Sequence, residues 1–338
     1  MSSVKIDPAF NGFIGNVPAL ETLSILIGYA RKVGAPVIQG VGLYGPKSTG
    51  KTELARRIAQ ALGIPSLMLS ETGLGDVDQL ADRMQDRAKE SRTPMVILRR
   101  EGGIPVLRCP PMVVFIDEVH QLTRRVQDAL LPLLEASDRM LRGTSVIIDA
   151  QAVSFIVATT DEGRLGDAFR SRLRKVPLLA YSTKEVAQIL RTRIDMPEAT
   201  TGTSGIDLKA RELGDESLEA LATAARAVPR AAIQMLGEVA MAIRLGHCGN
   251  SVDAVWQYIQ RLVPCDRDGL TAEDWNYLAI LGQSGVVGVK SIASQMGTNP
   301  SNLESAIEPF LMQSKLIQRT GSGRVLTQRG KDLLDRRR

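Results

Sequence analysis

Gly45-Pro46-Lys47-Ser48-Thr49-Gly50-Lys51-Thr52 fits the spacing G-x-x-x-x-G-K-[ST], and the chemistry of that spacing is the gripping of phosphate. The loop turns backbone N–H groups toward an anion at the start of a helix, whose dipole also favours negative charge. Lys51 is then placed to reach the outer phosphates, and Thr52 to hold magnesium through its hydroxyl. Downstream, the apolar run Met112-Val113-Val114-Phe115-Ile116 ends in Asp117 and Glu118. A carboxylate at a strand end suits the Mg²⁺ shell, and a second one suits the orientation of an attacking water. Taken alone, the pair could equally be a helix cap and a first-turn acid. Beside a phosphate loop it points to binding and hydrolysis of a nucleoside triphosphate, with ATP and Mg²⁺ expected.

Such a site needs a strand, a loop and a helix in that order. Residues 41–44 read as a short strand entering the loop. Residues 52–62 read as a helix, with Leu54, Ile58, Ala61 and Leu62 on one face. Up to about residue 180 strands alternate with helices, and the candidate strands are 41–44, 65–69, 112–117 and 153–158. That is the pattern of a parallel sheet covered on both faces. Residues 195–205 are rich in turn formers. The pattern from 183 to about 263 is helical, with segments at 183–194, 215–227, 229–245 and 251–262, and a linker follows at 264–269.

The last segment, 270–335, predicts helix-turn-helix plus a wing. Thr271 and Asp274 make a capping box that opens one helix, and 289–296 is a second. A third begins after Asn299, with Leu303, Ile307 and Leu311 at helical spacing. Two strands follow around Gly321-Ser322-Gly323, a hairpin turn. Arg319 and Arg324 flank that turn, where a winged helix would present them to DNA phosphates or the minor groove. Such modules also dock proteins. The expected architecture is α/β. A parallel-sheet nucleotide-binding domain (1–181) precedes a small helical lid (182–264) and a winged-helix DNA-binding domain (265–338).

Composition agrees with this plan. A chain of 338 residues, 44% hydrophobic, suits two or three domains with real cores. The net charge is +5 and the isoelectric point about 9.2, mildly basic and compatible with nucleic acid. From Lys315 onward eight basic residues face two acidic ones. Apolar runs are too short to span a membrane, and the first residues lack the apolar core of a signal peptide. The three cysteines (Cys109, Cys248, Cys265) show neither disulfide framework nor zinc spacing, so a reducing cytoplasm is expected. With only His120 and His247 present, histidine-based catalysis is not expected.

In the order of its parts the chain resembles the AAA+ ATPases, and among them the RuvB family of Holliday-junction branch-migration motors. The likeness runs from about Phe10 to Leu334. Phe13-Ile14-Gly15-Asn16 stands where the family has its adenine-side segment, and Leu43-Tyr44-Gly45-Pro46 enters the loop as the family does. Phe115-Ile116-Asp117-Glu118-Val119-His120 is similar to its acidic run. Ala158-Thr159-Thr160 resembles its sensor 1 strand end, Phe169-Arg170-Ser171-Arg172-Leu173 its arginine-finger segment, and Val228-Pro229-Arg230 its sensor 2 turn. Tyr181 matches a tyrosine near the nucleotide.

The resemblance implies that Thr160 helps position water and that Arg172 acts on a neighbouring subunit's γ-phosphate, with Arg170 or Arg174 as alternatives. It implies that Arg230 touches the phosphates from the lid, and that the chain forms a hexameric ring on branched or double-stranded DNA. Departures are visible as well. Lys47-Ser48-Thr49 replaces the centre of the family's loop, Asp161 replaces an arginine, and Ser322 replaces an arginine in the wing. Residues 135–151 are shorter than the hairpin with which the family docks its partner RuvA. Residues 95–108 read as an added hairpin, either an edge ornament or a DNA-facing element. These features suggest a divergent member, of the kind a phage or mobile element carries, with a different partner. Two other functions fit the same parts: a clamp- or helicase-loader switch, and a nucleotide-gated DNA-binding adaptor.

Overall fold

The computed structural model describes residues 4–34, 37–70, 74–135, 139–195 and 212–337. The turn-rich loop expected at 195–205 lies, beyond Asp195, outside the described residues. The chain folds as two units, Met1–Ala180 and Tyr181–Arg338.

The first unit is built on five parallel strands: β1 (Val41–Tyr44), β2 (Ser66–Leu69), β5 (Met112–Ile116), β8 (Val153–Thr159) and β9 (Arg174–Pro177), in the order β2-β5-β8-β1-β9. Sequence periodicity finds four of the five. It misses β9, whose Arg-Lys-Val-Pro carries one buried residue, Val176. The inner strands β1, β5 and β8 are buried at every position, as helices on both faces require. Alternation along β5 divides the core. Val113 and Phe115 pack with Ile27 of α1 (Val17–Lys32) and with Leu54 and Ile58 of α2 (Lys51–Leu62). Val114 and Ile116 pack on the other side with Leu80 and Met84 of α3 (Val77–Glu90) and Leu130 of α4 (Arg124–Leu134).

A second sheet joins two hairpins. The expected hairpin at 95–108 is present as β3 (Val96–Glu101) and β4 (Ile104–Arg108), turning at Gly102 and Gly103 with φ of 56° and 89°. It joins a larger sheet, because β4 pairs in parallel with β7 (Ile147–Asp149), and β7 in turn pairs with β6 (Met140–Arg142). The tip between β6 and β7 is fastened to α3. Asp78 accepts bonds from Thr144 N at 2.7 Å and Thr144 Oγ1 at 2.9 Å. A side chain at 143 is disfavoured, because a Cβ there would stand 2.9 Å from the Val146 carbonyl oxygen. The β3 strand is left at the edge of this sheet.

The second unit contains two hydrophobic cores. One gathers Leu190, Leu221, Leu236 and Ile259 from α6 (Thr183–Asp195), α7 (Asp215–Ala224), α8 (Pro229–Arg244) and α9 (Val252–Leu262). The other gathers Tyr277, Ile292, Leu303 and Leu311 in a winged helix. That module comprises α10 (Ala272–Ser284), α11 (Val289–Met296), α12 (Pro300–Asn302), α13 (Glu308–Gln313), β10 (Ile317–Thr320), β11 (Gly323–Leu326) and α14 (Gln328–Arg337). The capping box of Thr271 and Asp274 is formed.

The third helix is not regular. A π turn, Leu303–Ile307, interrupts it just before Glu308-Pro309. Pro309 has no N–H for the carbonyl of Ser305, and the ladder reorganises there. Behind the interruption lies Glu308, 0% exposed. Its carboxylate accepts from Tyr277 Oη at 2.9 Å, Arg319 Nε at 2.7 Å and Arg324 Nε at 2.9 Å. These bonds hold its pKa below the ordinary carboxylate value even though burial pulls the other way. Cys109 and Cys265 are buried and Cys248 half-buried, and burial pushes the Cys109 thiol up to about 12.

Glu308→Gln leaves two guanidinium groups facing an uncharged amide. It is expected to destabilise the winged helix by about 3 kcal/mol, the lower end of the cost of breaking a buried ion pair, because Glu304 still holds Arg324 at 2.6 Å. Denaturant unfolding followed by tryptophan fluorescence measures this, since Trp275 lies in α10.

Candidate functional site

The carboxyl ends of β1, β5 and β8 bring the expected groups together. At the end of β1 the chain turns past Gly45, where any side chain is excluded: a Cβ would stand 2.4 Å from the Leu178 carbonyl oxygen. Ser48 holds φ of 63° and Gly50 φ of 86°, so the loop passes twice through the left-handed region. Ser48 does so with a side chain, as the departure at the loop's centre foreshadows. Thr49 Oγ1 closes the loop with a bond to the Pro46 carbonyl at 2.9 Å. Lys51, 6% exposed, donates to the carbonyls of Gly45 and Pro46, both at 2.8 Å. Burial pulls its ammonium below the ordinary lysine value, while Glu118 and Asp117 act in the opposite sense.

Thr52 Oγ1 lies 3.2 Å from Asp117 Oδ2. A hydroxyl and a carboxylate converging from α2 and β5 form the hard-oxygen pair that suits Mg²⁺. Asp117 Oδ1 accepts from the Glu118 N–H at 3.0 Å. Glu118 itself holds φ of 45°, and its carboxylate is turned toward β8. There Oε2 accepts from Thr160 N at 3.0 Å and Thr160 Oγ1 at 2.9 Å. Thr160, expected to help position water, thus touches Glu118 directly.

Two residues join this network that the sequence reading did not assign. His120 Nδ1 is 3.3 Å from Glu118 Oε2 and 2.9 Å from Thr159 Oγ1. Thr159 Oγ1 also lies 3.1 Å from the Asp161 carbonyl and accepts from the Asp161 N–H at 3.0 Å. Scarcity of histidine argues against a catalytic role in general, but the order Asp-Glu-Val-His was the available signal.

The other expected residues are placed as follows. Phe13 and Ile14 are half-buried. Phe13 packs on the α1–α2 side of the sheet, with the Arg57 guanidinium 5.6 Å from its ring centroid. Lys47 is exposed in the loop. Arg172 ends α5 (Asp167–Ser171), with Nε on Glu135 Oε1 at 2.7 Å and a second nitrogen on the Ala168 carbonyl at 2.8 Å. Arg170 is paired with Asp167. Tyr181, Pro229 and Arg230 belong to the second unit. Within it Tyr181 is buried, and Pro229 and Arg230 open α8. Arg319 and Arg324, expected on a DNA face, are drawn onto Glu308. Arg324 is 13% exposed and Arg319 43%.

A family model described as the ATPase family associated with various cellular activities (AAA) matches residues 41–180, and one for the RuvB C-terminal winged helix domain matches residues 267–335. The chain is a RuvB-like AAA+ ATPase. The Holliday junction branch migration complex subunit RuvB of Synechococcus sp. (strain CC9311) is 28% identical over 94% of this chain and 82% of its own. The corresponding subunit of Synechococcus sp. (strain WH7803) is also 28% identical. Among solved structures, the Thermotoga maritima RuvB Holliday junction branch migration motor shares 26% identity. It superposes with a TM-score of 0.67 over 96% of this chain and 95% of that one.

General-base hydrolysis needs an ionised group placed to take a proton from water. Glu118→Gln is therefore expected to keep nucleotide affinity and to lower ATP turnover by about 10²-fold or more. Thr160→Val, which removes a hydroxyl from Glu118, is expected to lower turnover by about tenfold. Steady-state turnover beside equilibrium nucleotide binding checks both; Glu118→Gln protein that turns over at the parental rate removes Glu118 from the mechanism.

Proposed function

We propose that this chain is an ATP-driven, ring-forming motor that works on DNA, of the branch-migration kind recorded in its relatives' names. The observation that carries this is the convergence of Lys51, Thr52, Asp117, Glu118 and Thr160 at three neighbouring strand ends, in a chain that also bears a RuvB-type winged helix.

ATP is the substrate and the loop N–H groups receive its phosphates. Lys51 exchanges the Gly45 and Pro46 carbonyls for phosphate oxygens. Thr52 and Asp117 hold Mg²⁺, which when bound neutralises charge on the phosphates. Glu118 releases Thr160 and accepts the proton of the attacking water. Phe13, Ile14 and Tyr181 border the base, and Arg230, presented after Pro229, contacts the phosphates from the lid. Arg172 leaves Glu135 to act on the triphosphate of the neighbouring subunit, and its positive charge offsets what develops on the leaving phosphates. A hexameric ring in the cytoplasm is the assembly this reading requires.

The winged helix meets DNA through the exposed edge of Arg319, with Arg324 holding the wing in place. The hairpin that would dock a RuvA-type partner is short here and fastened to Asp78, so a partner of this chain engages a different surface.

The test is ATP turnover with and without four-way DNA, beside displacement of the arms of a labelled junction. DNA-stimulated turnover with arm displacement is expected. Partner transfer without displacement indicates a loader, and DNA binding without turnover indicates an adaptor. For the trans-acting arginine, Arg172→Ala subunits mixed with parental subunits are expected to depress turnover more than in proportion to their fraction. A strictly proportional loss assigns Arg172 to its own subunit.

A further inference from the structure

Arg226 and Ala227, two consecutive residues with side chains, hold left-handed φ of 54° and 55°, a pairing uncommon outside glycine. They link α7 to α8, and α8 opens with Pro229 and Arg230. Arg226 explains how this conformation is held. Its guanidinium donates to Asp274 Oδ2 at 2.5 Å and to Thr271 Oγ1 at 3.3 Å, and its Cζ lies 4.8 Å from the centroid of the Phe310 ring. Thr271 and Asp274 cap α10, and Phe310 belongs to α13, so all three contacts are with the winged helix. Asp274 is 0% exposed, and its Oδ2 also accepts from Thr271 N at 2.7 Å and Thr271 Oγ1 at 2.8 Å. A carboxylate so buried needs the guanidinium as its counter-charge. The chain is drawn in beside this contact as well. Gly269, with φ of 78°, lies so near α7 that a Cβ would stand 2.6 Å from the Thr223 carbonyl oxygen.

We propose that Arg226 is a positioning residue that ties the winged helix to the turn carrying Arg230, so that the DNA-binding module follows that turn as ATP is bound and cleaved. The proposal rests on the reading above that Arg230 meets the phosphates. Only Ala227, Val228 and Pro229 separate the two arginines, and proline fixes φ at one of these positions. Movement at Arg230 is therefore passed on with little slack. Coupling of this kind is carried by packed contacts whose arrangement both ends bias, and Arg226 supplies such contacts through an ion pair and an aromatic ring.

The experiment compares Arg226→Ala, Arg226→Lys and Arg230→Ala in the full chain. It measures basal ATP turnover, stimulation of turnover by four-way DNA, and the ratio of DNA affinities with a non-hydrolysable ATP analogue and with ADP. Arg226→Ala is expected to keep basal turnover within about twofold, to lose about tenfold of the stimulation and to bring the affinity ratio close to one, within the usual range of coupling between sites. Arg226→Lys keeps the charge but not the planar stack on Phe310, and falls between the two.

Unchanged stimulation and ratio in Arg226→Ala overturn the proposal. So does a joint fall of basal turnover, stimulation and thermal stability, which marks a merely structural residue. If Arg226→Ala does not fold, Phe310→Leu removes the stack and keeps the ion pair; it is expected to lower stimulation at unchanged basal turnover, and no change in the ratio overturns the proposal. Arg230→Ala separates the two readings, because intact nucleotide affinity and turnover in that variant defeat the role given to Arg230 itself.

Discussion

The parallel register of β5, β8 and β1 is the constraint on which the site depends. Parallel pairing sends every strand out of the sheet at the same edge, and strands lie about 4.8 Å apart. Groups that follow neighbouring strands are therefore held within the span of a polyphosphate and its metal. Backbone bonds carry the register past the strand ends. Gly45 N donates to the Thr159 carbonyl at 3.2 Å, Asp117 N to the Leu69 carbonyl at 2.9 Å and Leu178 N to the Tyr44 carbonyl at 2.6 Å. The same approach of β9 that places Leu178 beside the loop is what forbids a side chain at Gly45. Sheet order and loop sequence are thus one requirement, and ligand sites at carboxyl strand ends are its usual consequence in α/β proteins.

On that rigid edge the chain tolerates strain where chemistry is expected. Ser48 and Glu118 both occupy the left-handed region with side chains, at a cost of about 1–3 kcal/mol each. Such conformations persist only when their surroundings over-determine them. Glu118 is held by Asp117 Oδ1 on its backbone and by Thr160 and His120 on its carboxylate. The carboxylate is thereby pre-aimed and shielded, with 17% of its side chain exposed. The network around Glu118 therefore fixes the shape of this end of the site.

Much of this was legible in the residues, and the parts that were not share a physical reason. The phosphate loop, the acidic pair and the strands β1, β2, β5 and β8 announce themselves because each is a local pattern: a fixed glycine spacing, or an apolar run bounded by turn formers. The helices of the second unit and the wing are likewise local, and their limits fall within a few residues of expectation. What the sequence hides is non-local. β9 has too little apolar content to read as a strand and exists because β1 offers it an edge. β6 and β7 are three residues each, and they form because β4 and Asp78 hold them. The contact of His120 with Thr159, and that of Arg226 with Asp274, join segments 39 and 48 residues apart, which no periodicity encodes.

The wing shows how a correct local reading acquires a different meaning in three dimensions. Arg319 and Arg324 flank the hairpin turn as expected, yet Glu308 and Glu304 balance them charge for charge. Their attraction for an external phosphate is correspondingly reduced, because a guanidinium already bonded to a buried carboxylate gains little by leaving it. The positive excess of this module must then reside elsewhere. Lys315 and, on α14, Arg329, Lys331, Arg336 and Arg337 outnumber Asp332 and Asp335. Arg337 is in addition stacked on Trp275, its Cζ 4.1 Å from the ring centroid. The last helix therefore carries a net positive charge that the paired Arg319 and Arg324 do not add to, and net charge sets long-range, salt-dependent attraction to polyanions. The Glu308 cluster ties the third helix to both strands of the wing.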